Sequence, residues 1–452
     1  MLDINFIREN PDLIKMAAQK KHVVFDVQAL IEADDLRRAQ LKKVEDLRAE
    51  KNAATDAIEA MASDTERAVA IAQVQQLKKG LSKEEEKLKE VMIAWHELML
   101  RVPNIPDFSV PEGQYDVENK EIRTWGERPV FPFTVKDHIT LMQELDLVDF
   151  ERGTKLAGFR GYILKNEGLR LSMALWQFAL DSLQKKGYTP LGVPSLLRKE
   201  PFVGTGYLPQ GEDDLYKTQD DLYLTGTAEV PVMGMYMNEV LKKEDLPAKF
   251  AAFSPAYRRE AGSHGKDTKG LVRVHEFFKV EQVVLCEASH EVSVAYHEEL
   301  AANVDELLQR LGLPYHVVIN CGGDLGLGQV KKYDYEVWIP SEGAYRETHS
   351  CSYFHDFQSR RLNIRYEDEG NKKRFVHSLN NTAVATPRLL VSIIENFQTP
   401  EGGVVIPEVL RPYMGIDEIK PKEVSVLNVV SEKSEEPNSA LNESDNGEEE
   451  SE

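Results

Sequence analysis

Residues 255 to 281 read Pro255-Ala256-Tyr257-Arg258-Arg259-Glu260-Ala261-Gly262-Ser263-His264-Gly265-Lys266-Asp267-Thr268-Lys269-Gly270-Leu271-Val272-Arg273-Val274-His275-Glu276-Phe277-Phe278-Lys279-Val280-Glu281. The ends are rich in aromatic and β-branched residues, and the centre carries three glycines, so the stretch reads as strand, flexible loop, strand. Arg258 and Arg273 fall on the two strand ends and face whatever the loop covers. A guanidinium there can grip a carboxylate or phosphate through two parallel hydrogen bonds. An isolated Arg-x-Glu such as Arg258 and Glu260 is ordinarily a surface ion pair, and its meaning depends on the company it keeps.

That company is an α+β region from Val110 to about Lys422. Its β-rich runs (Lys279 to Leu285, Tyr315 to Ile319, Tyr333 to Ile339) are interspersed with amphipathic helices at Arg170 to Lys186 and Ala288 to Leu311. Regular βαβ alternation is missing, which predicts a mainly antiparallel sheet flanked by helices. Pro103-Asn104-Ile105-Pro106-Asp107 closes the region before it, because proline stops a helix and restricts its predecessor.

Between Asp12 and Val102 glycine and proline are nearly absent. Val74, Leu77, Leu81, Glu84, Leu88, Val91, Trp95 and Leu98 alternate spacings of three and four, and Val44, Leu47, Lys51, Ala54 and Ile58 repeat the rhythm upstream. The pattern predicts a long antiparallel helical hairpin of coiled-coil type. Ser63 and Glu66 match a capping box for its second helix, and Ser82 with Glu85 offers a second cap just after Gly80, a weak point in that helix. A first helix of roughly 33 residues would extend about 50 Å. Such a hairpin serves dimerisation or structure, or, through Arg37, Arg38, Lys42, Lys43, Arg48 and Lys51, contact with nucleic acid.

The 452 residues exceed what one core organises and suggest parts at 1–105, 106–425 and 426–452. Hydrophobic residues make up 42% and charged residues 29%, with no run of eighteen apolar residues and no apolar leader at the start, so a cytoplasmic protein without a membrane span is expected. Cys286, Cys321 and Cys351 lie too far apart for a CxxC knuckle or a disulfide framework, and no zinc is expected. The net charge of −21 argues against a polyanionic partner, but the segment from Val426 holds nine acids against Lys433. That segment cannot bury enough apolar area to offset its ordering entropy and should be disordered.

The quoted stretch closely resembles motif 2 of class II aminoacyl-tRNA synthetases in its seryl form, FRxEAGxxGxDTxGLxRVHQFxKVE, with Tyr257 for the leading Phe. Gly168 through Leu183, followed by Gly187-Tyr188-Thr189-Pro190 and Val193-Pro194, resembles motif 1, and Asn380-Asn381-Thr382-Ala383-Val384-Ala385-Thr386-Pro387-Arg388 resembles motif 3. Thr225 to Pro231 is similar to the seryl family's TAE loop and Tyr345 to Ser352 to its YRE(I/T)xSCS segment. Val404 to Gly415 resembles the family's C-terminus, and Ile7-Arg8-Glu9-Asn10-Pro11 with the hairpin resembles its tRNA-binding arm. The resemblance spans roughly residues 1 to 420.

It implies a class II catalytic domain that activates serine with ATP, which is a substrate, and passes it to tRNA(Ser), with tRNA(Sec) open as a second acceptor. It implies a homodimer through motif 1. Arg258 would bridge carboxylate and α-phosphate, and Arg388 would clamp the γ-phosphate. Glu347 and Ser350 would hold Mg²⁺ through hard oxygens. Phe277 would stack on adenine, with Glu260 and Val274 at its edge and Arg259, Thr348 and His349 also in the ATP site. Thr227, Ala228, Glu229, Glu281 and Thr382 would surround serine. His264, His275 and His349 are not needed as acids or bases. Motif 3 often reads NGSGLAVGR; here Asn381, Thr382, Thr386 and Pro387 replace Gly, Ser, Val and Gly. Rival readings are a silent paralogue that binds RNA, and a ligase loading carrier proteins; the complete charged set and the long arm speak against them.

Overall fold

The computed structural model describes residues 1–59, 63–262, 265 and 267–422. The acidic segment from Val426 and His264 lie outside these described residues. The chain begins with short helices α1 (Ile4–Glu9) and α2 (Pro11–Lys20), then the hairpin of α3 (Val27–Glu59) and α4 (Asp64–Leu100). Ser63 caps α4, its hydroxyl accepting from the Glu66 N–H at 3.5 Å. The expected second cap at Ser82 does not form. Gly80 and Ser82 lie inside α4, which continues unbroken because the stripe on either side keeps packing against α3.

Every member of that stripe from Val74 to Leu98 is buried or half-buried. The one charged member, Glu84, is 9% exposed and is met by Gln40 at 2.9 Å, Lys87 at 3.0 Å and Lys43 at 3.2 Å. The Gln40 hydrogen bond and the two lysines hold its carboxyl down at about 2. At the base of the hairpin, Ile7, Ile14, Val27, Leu30, Met99 and Val102 form a core of their own. Lys21, buried there, donates to the carbonyls of Gly326, Leu327 and Gln329 and fastens α2 to the body.

The body is an eight-stranded sheet: β1 (Lys120–Trp125), β2 (Thr189–Gly192), β3 (Ala248–Tyr257), β4 (Glu276–Cys286), β5 (Tyr315–Ile319), β6 (Lys331–Ile339), β7 (Ala344–His355) and β8 (His377–Thr386). Their spatial order is β1-β5-β6-β7-β8-β4-β3-β2, and all neighbours are antiparallel except β2 with β3. That single parallel pair is joined by a long crossover, as parallel strands require.

One face of the sheet is covered by α5 (Asn166–Gln184) and α6 (His290–Leu311), whose inward residues include Leu171, Leu175, Phe178, Leu300, Val304 and Leu308. The other carries two short helices, Glu229–Gly234 and Phe357–Leu362, on one half and is open on the rest. Strand β4 shows why. Val280, Val284 and Cys286 pack into the core on the α5/α6 side, while Val283 and Leu285 pack under the short helices. By the period of two, Phe277, Lys279 and Glu281 share the second face and line its open part. Among the described residues, no helix is long and apolar enough to cross a membrane.

Candidate active site

The open part of the sheet holds a cleft bordered by Arg258, Glu260, Val274, Phe277, Glu347, Thr348, Ser350, Thr382 and Arg388. Three stretches far apart in sequence converge there: residues 258–279 from the end of β3 through the loop into β4, residues 347–350 within β7, and residues 382–388 from β8 into the start of α7 (Arg388–Asn396). Arg258 leaves the end of β3, where its guanidinium lies 5.3 Å from the Phe277 ring centroid and donates to Gly226 O at 3.3 Å. Across the cleft, Arg388 is the first residue of α7, with Pro387 at the N-cap. Its Nε donates to Val272 O and its Nη1 to Glu347 O, each at 3.0 Å, and its Nη1 lies 3.4 Å from Glu347 Oε2.

Burial opposes ionisation of Glu347, but Arg388, Lys332 and Arg258 overcome it and hold the carboxyl below its usual range. The side chain is still 48% exposed, toward the cleft, so the positive neighbours are what matter for its charge. Glu260 is paired with Arg273 at 3.0 Å, and Arg273 also meets Asp267 at 2.9 Å. These ion pairs tie the two ends of the loop together.

Thr227, Glu229 and Glu281 lie next to the cleft in a fully buried polar layer. Lys279, which borders the cleft, connects the two, with Nζ 2.7 Å from the Thr227 hydroxyl and 3.1 Å from Glu281 Oε1. The Thr227 hydroxyl also donates to Glu281 Oε2, and the same oxygen accepts the Glu229 N–H at 3.0 Å. Asn380 donates to Glu281 Oε1 at 3.2 Å. Burial, reinforced by Glu281, pushes the Glu229 carboxyl up to about 7.

Besides these buried residues, three more predicted site residues present no side chain to the cleft. Ala228 is fully buried with Val232, Met233 and Phe250 beneath the short helices. Arg259 is exposed, and its backbone N–H donates to Asp214 O. His349 is turned through the sheet: its Nε2–H donates to Ala383 O at 3.1 Å, and its Nδ1 accepts from the Thr348 hydroxyl at 2.7 Å. Burial lowers its pKa to about 4, so it stays neutral. Thr348 therefore borders the cleft with its hydroxyl already committed.

Lys279, Asn380, Tyr207 and Gln358 were not singled out from sequence. Lys279 had a signal, a lysine that alternation puts on one face with Phe277 and Glu281, and Asn380 opens the stretch that resembles motif 3. Tyr207 and Gln358 had none, since only folding brings them to Glu229.

A large antiparallel sheet with one arginine at the end of a strand, another opening the helix that follows a different strand, and a cleft lined by both is the design of a class II aminoacyl-tRNA synthetase core. Residues 212–397 match the family model of the tRNA synthetase class II core domain (G, H, P, S and T), and residues 1–106 match that of the seryl-tRNA synthetase N-terminal domain. The serine–tRNA ligase of Deinococcus radiodurans is 46% identical over 420 residues, covering 93% of this chain and 99% of that one. That of Thermodesulfovibrio yellowstonii is 43% identical over 426 residues, covering 93% and 100%. The crystal structure of seryl-tRNA synthetase from Pyrococcus horikoshii complexed with ATP superposes with a TM-score of 0.84 at 39% identity, covering 94% of this chain and 100% of that one. The chain belongs to the serine–tRNA ligase family.

Proposed function

We propose that this enzyme activates L-serine with ATP and esterifies it to the 3′-terminal adenosine of tRNA(Ser). A serine carboxylate oxygen attacks the α-phosphorus, the bond to the β-phosphate breaks, and pyrophosphate leaves. The terminal ribose hydroxyl then attacks the seryl carbonyl and AMP departs. No covalent protein intermediate is required, so catalysis is the work of positioning and of neutralising charge.

Arg258 holds the carboxylate against the α-phosphate, with Phe277 beneath adenine. Arg388 holds the γ-phosphate, and Glu260 and the Val274 backbone read the adenine edge. Thr227, Glu229, Glu281 and Thr382 enclose serine, with the Thr382 hydroxyl bordering the cleft. The carboxylate of Glu347 and the hydroxyl of Ser350 both belong to residues that border the cleft and are hard oxygens, donors that would suit Mg²⁺. The metal when bound spreads charge over the phosphates. Residues 106–425 form the catalytic unit and residues 1–105 the arm that grips tRNA outside the anticodon. The half-exposed Leu169 and Met173 on α5 offer an apolar patch for a twofold partner, in an enzyme expected in the cytoplasm.

The observation that carries this reading is the pair of arginines, Arg258 on its aromatic platform and Arg388 on Glu347, facing one cleft beside a buried carboxylate layer. ATP–pyrophosphate exchange across the twenty amino acids tests it. Serine alone should support exchange, and exchange with a different amino acid, or with none, overturns it.

A further inference from the structure

The short helix Phe357–Leu362 takes part in two buried polar clusters through Gln358 and Arg361, which lie three positions apart and both donate to carbonyls of the helix Lys199–Thr205. In the first is Gln358, 1% exposed. Its Nε2 donates to Glu229 Oε1 at 2.5 Å and to Thr205 O at 3.3 Å, and its Oε1 accepts from the Ser378 hydroxyl at 2.6 Å. Both hydrogens and the oxygen of that amide are committed, so its orientation is fixed. The Tyr207 hydroxyl donates to Glu229 Oε2 at 3.1 Å, completing a clamp with one donor on each carboxylate oxygen.

In the second is Arg361. Its guanidinium stacks 4.1 Å over Phe357 and donates to Val203 O at 3.1 Å and to Leu100 O at 2.9 Å, and burial lowers its pKa to about 9. A buried cation with carbonyl partners is expensive to keep, and one of those partners is the last residue of α4. A cation suits that position because the C-terminal end of a helix is its negative pole. The same short helix accepts the Met1 ammonium at Phe357 O and pairs Arg360 with Asp3 at 3.2 Å. It is thus bonded both to the two ends of the arm and to a carboxylate beside the cleft. A helix of six residues is too short to bend between them.

We propose that this helix carries the seat of the arm into the serine pocket, with Gln358 as a positioning residue for Glu229 and Arg361 as the tie to the arm. The inference rests on Glu229 belonging to the serine pocket. Glu281 and Lys279 face Glu229 from β4, Tyr207 from the segment after the helix at Lys199–Thr205, and Gln358 from the short helix. Glu281 disfavours the charged form, and Gln358, Lys279 and Tyr207 favour it. Removing the Gln358 donor therefore moves protonation of Glu229 to higher pH.

The test uses serine-dependent ATP–pyrophosphate exchange by the full-length enzyme without tRNA. In Gln358→Met the KM for serine should rise about tenfold or more, as for a hydrogen bond to a charged group, while the KM for ATP stays put. The acid limb of kcat/KM for serine should shift to higher pH. Tyr207→Phe, a smaller change that leaves the packing in place, should move the same two quantities in the same direction. Arg361→Met should raise the serine KM although it touches nothing in the pocket, and should lower tRNA charging as well. An unchanged serine KM and pH limb in both Gln358→Met and Tyr207→Phe overturns the positioning role. A loss of charging in Arg361→Met with an unaltered serine KM overturns the link to the arm. Failure of the wild-type enzyme to exchange with serine would instead sink the functional reading itself.

Discussion

Glu229 is 2% exposed and has a second carboxylate, Glu281, close enough to raise its pKa. Its pKa in the fold is about 7 against an ordinary 4.5, so between those values the folded protein holds a proton that the unfolded chain has released. Stability from this group therefore falls as pH rises through that window, by on the order of 3 kcal/mol in all. Glu229→Gln should remove the slope: the melting temperature of the wild type relative to the variant should fall steadily from about pH 5 to pH 7.5. A difference that stays flat over that range would place the proton elsewhere. Arg258 makes a second test at this scale. Lysine keeps the charge but cannot hold a carboxylate and a phosphate in one plane. Arg258→Lys should keep the circular dichroism spectrum and lose roughly 10² to 10³ in exchange rate, the usual cost of one lost charge-stabilising contact in a reaction of this kind. Exchange within about threefold of wild type would take Arg258 out of the mechanism.

At the scale of the element, α4 shows how packing overrides a local weakness. Gly80 stands in the middle of a 37-residue helix, and a Cβ added there would meet nothing within 4 Å. Gly80→Ala should therefore stabilise the hairpin by about 0.5 to 1 kcal/mol, because alanine loses less backbone freedom. Slower amide hydrogen exchange along α4 and a raised unfolding midpoint would show it; a lowered midpoint would mean the surface there is occupied. The Gln40–Glu84 layer is the converse case, a polar pair kept in an apolar stripe. A buried polar pair of this kind fixes register at some expense of stability, and here it pins α3 to α4 at one height.

The whole molecule separates two tasks. The hairpin extends about 50 Å, while the cleft is built entirely from residues 258 to 388. On the proposed reading the arm serves the macromolecular substrate and reaches the small one only through its base. A clean deletion must respect that base. Leu30, Trp95 and Leu98 belong to its core with Ile7 and Ile14, so removal should start beyond them. Gln40 and Glu84 are in hydrogen-bond contact across the hairpin, so residues 41–83 can be replaced by a short turn. The shortened enzyme should keep serine-dependent exchange near the wild-type rate and lose tRNA charging by about two orders of magnitude or more, and wild-type charging should weaken steeply with added salt as phosphate contacts release counterions. Equal losses in both assays would make the arm purely structural, and retained charging would place tRNA elsewhere.

Much of this was legible along the chain because the information was local. The three-and-four spacing from Val74 to Leu98 specifies an amphipathic helix by itself. Arg258 and Glu260 lie four and two positions before Gly262, the first glycine of the loop, and alternation along β4 puts Phe277, Lys279 and Glu281 on one face without further help. Even the order of the motifs could be read directly. What the sequence could not show is which way a side chain turns where a strand departs from ideal alternation. His349 sits one residue past a bulge between β6 and β7, so it faces Ala383 O instead of the cleft, and Ala228 is taken by the core under two short helices. Nor could sequence bring Gln358 and Tyr207 to Glu229, or Arg361 to Leu100. Those contacts join residues 129, 22 and 261 positions apart, and their partners are chosen by burial: a polar atom shut away from water must bond to whatever the packed fold places beside it.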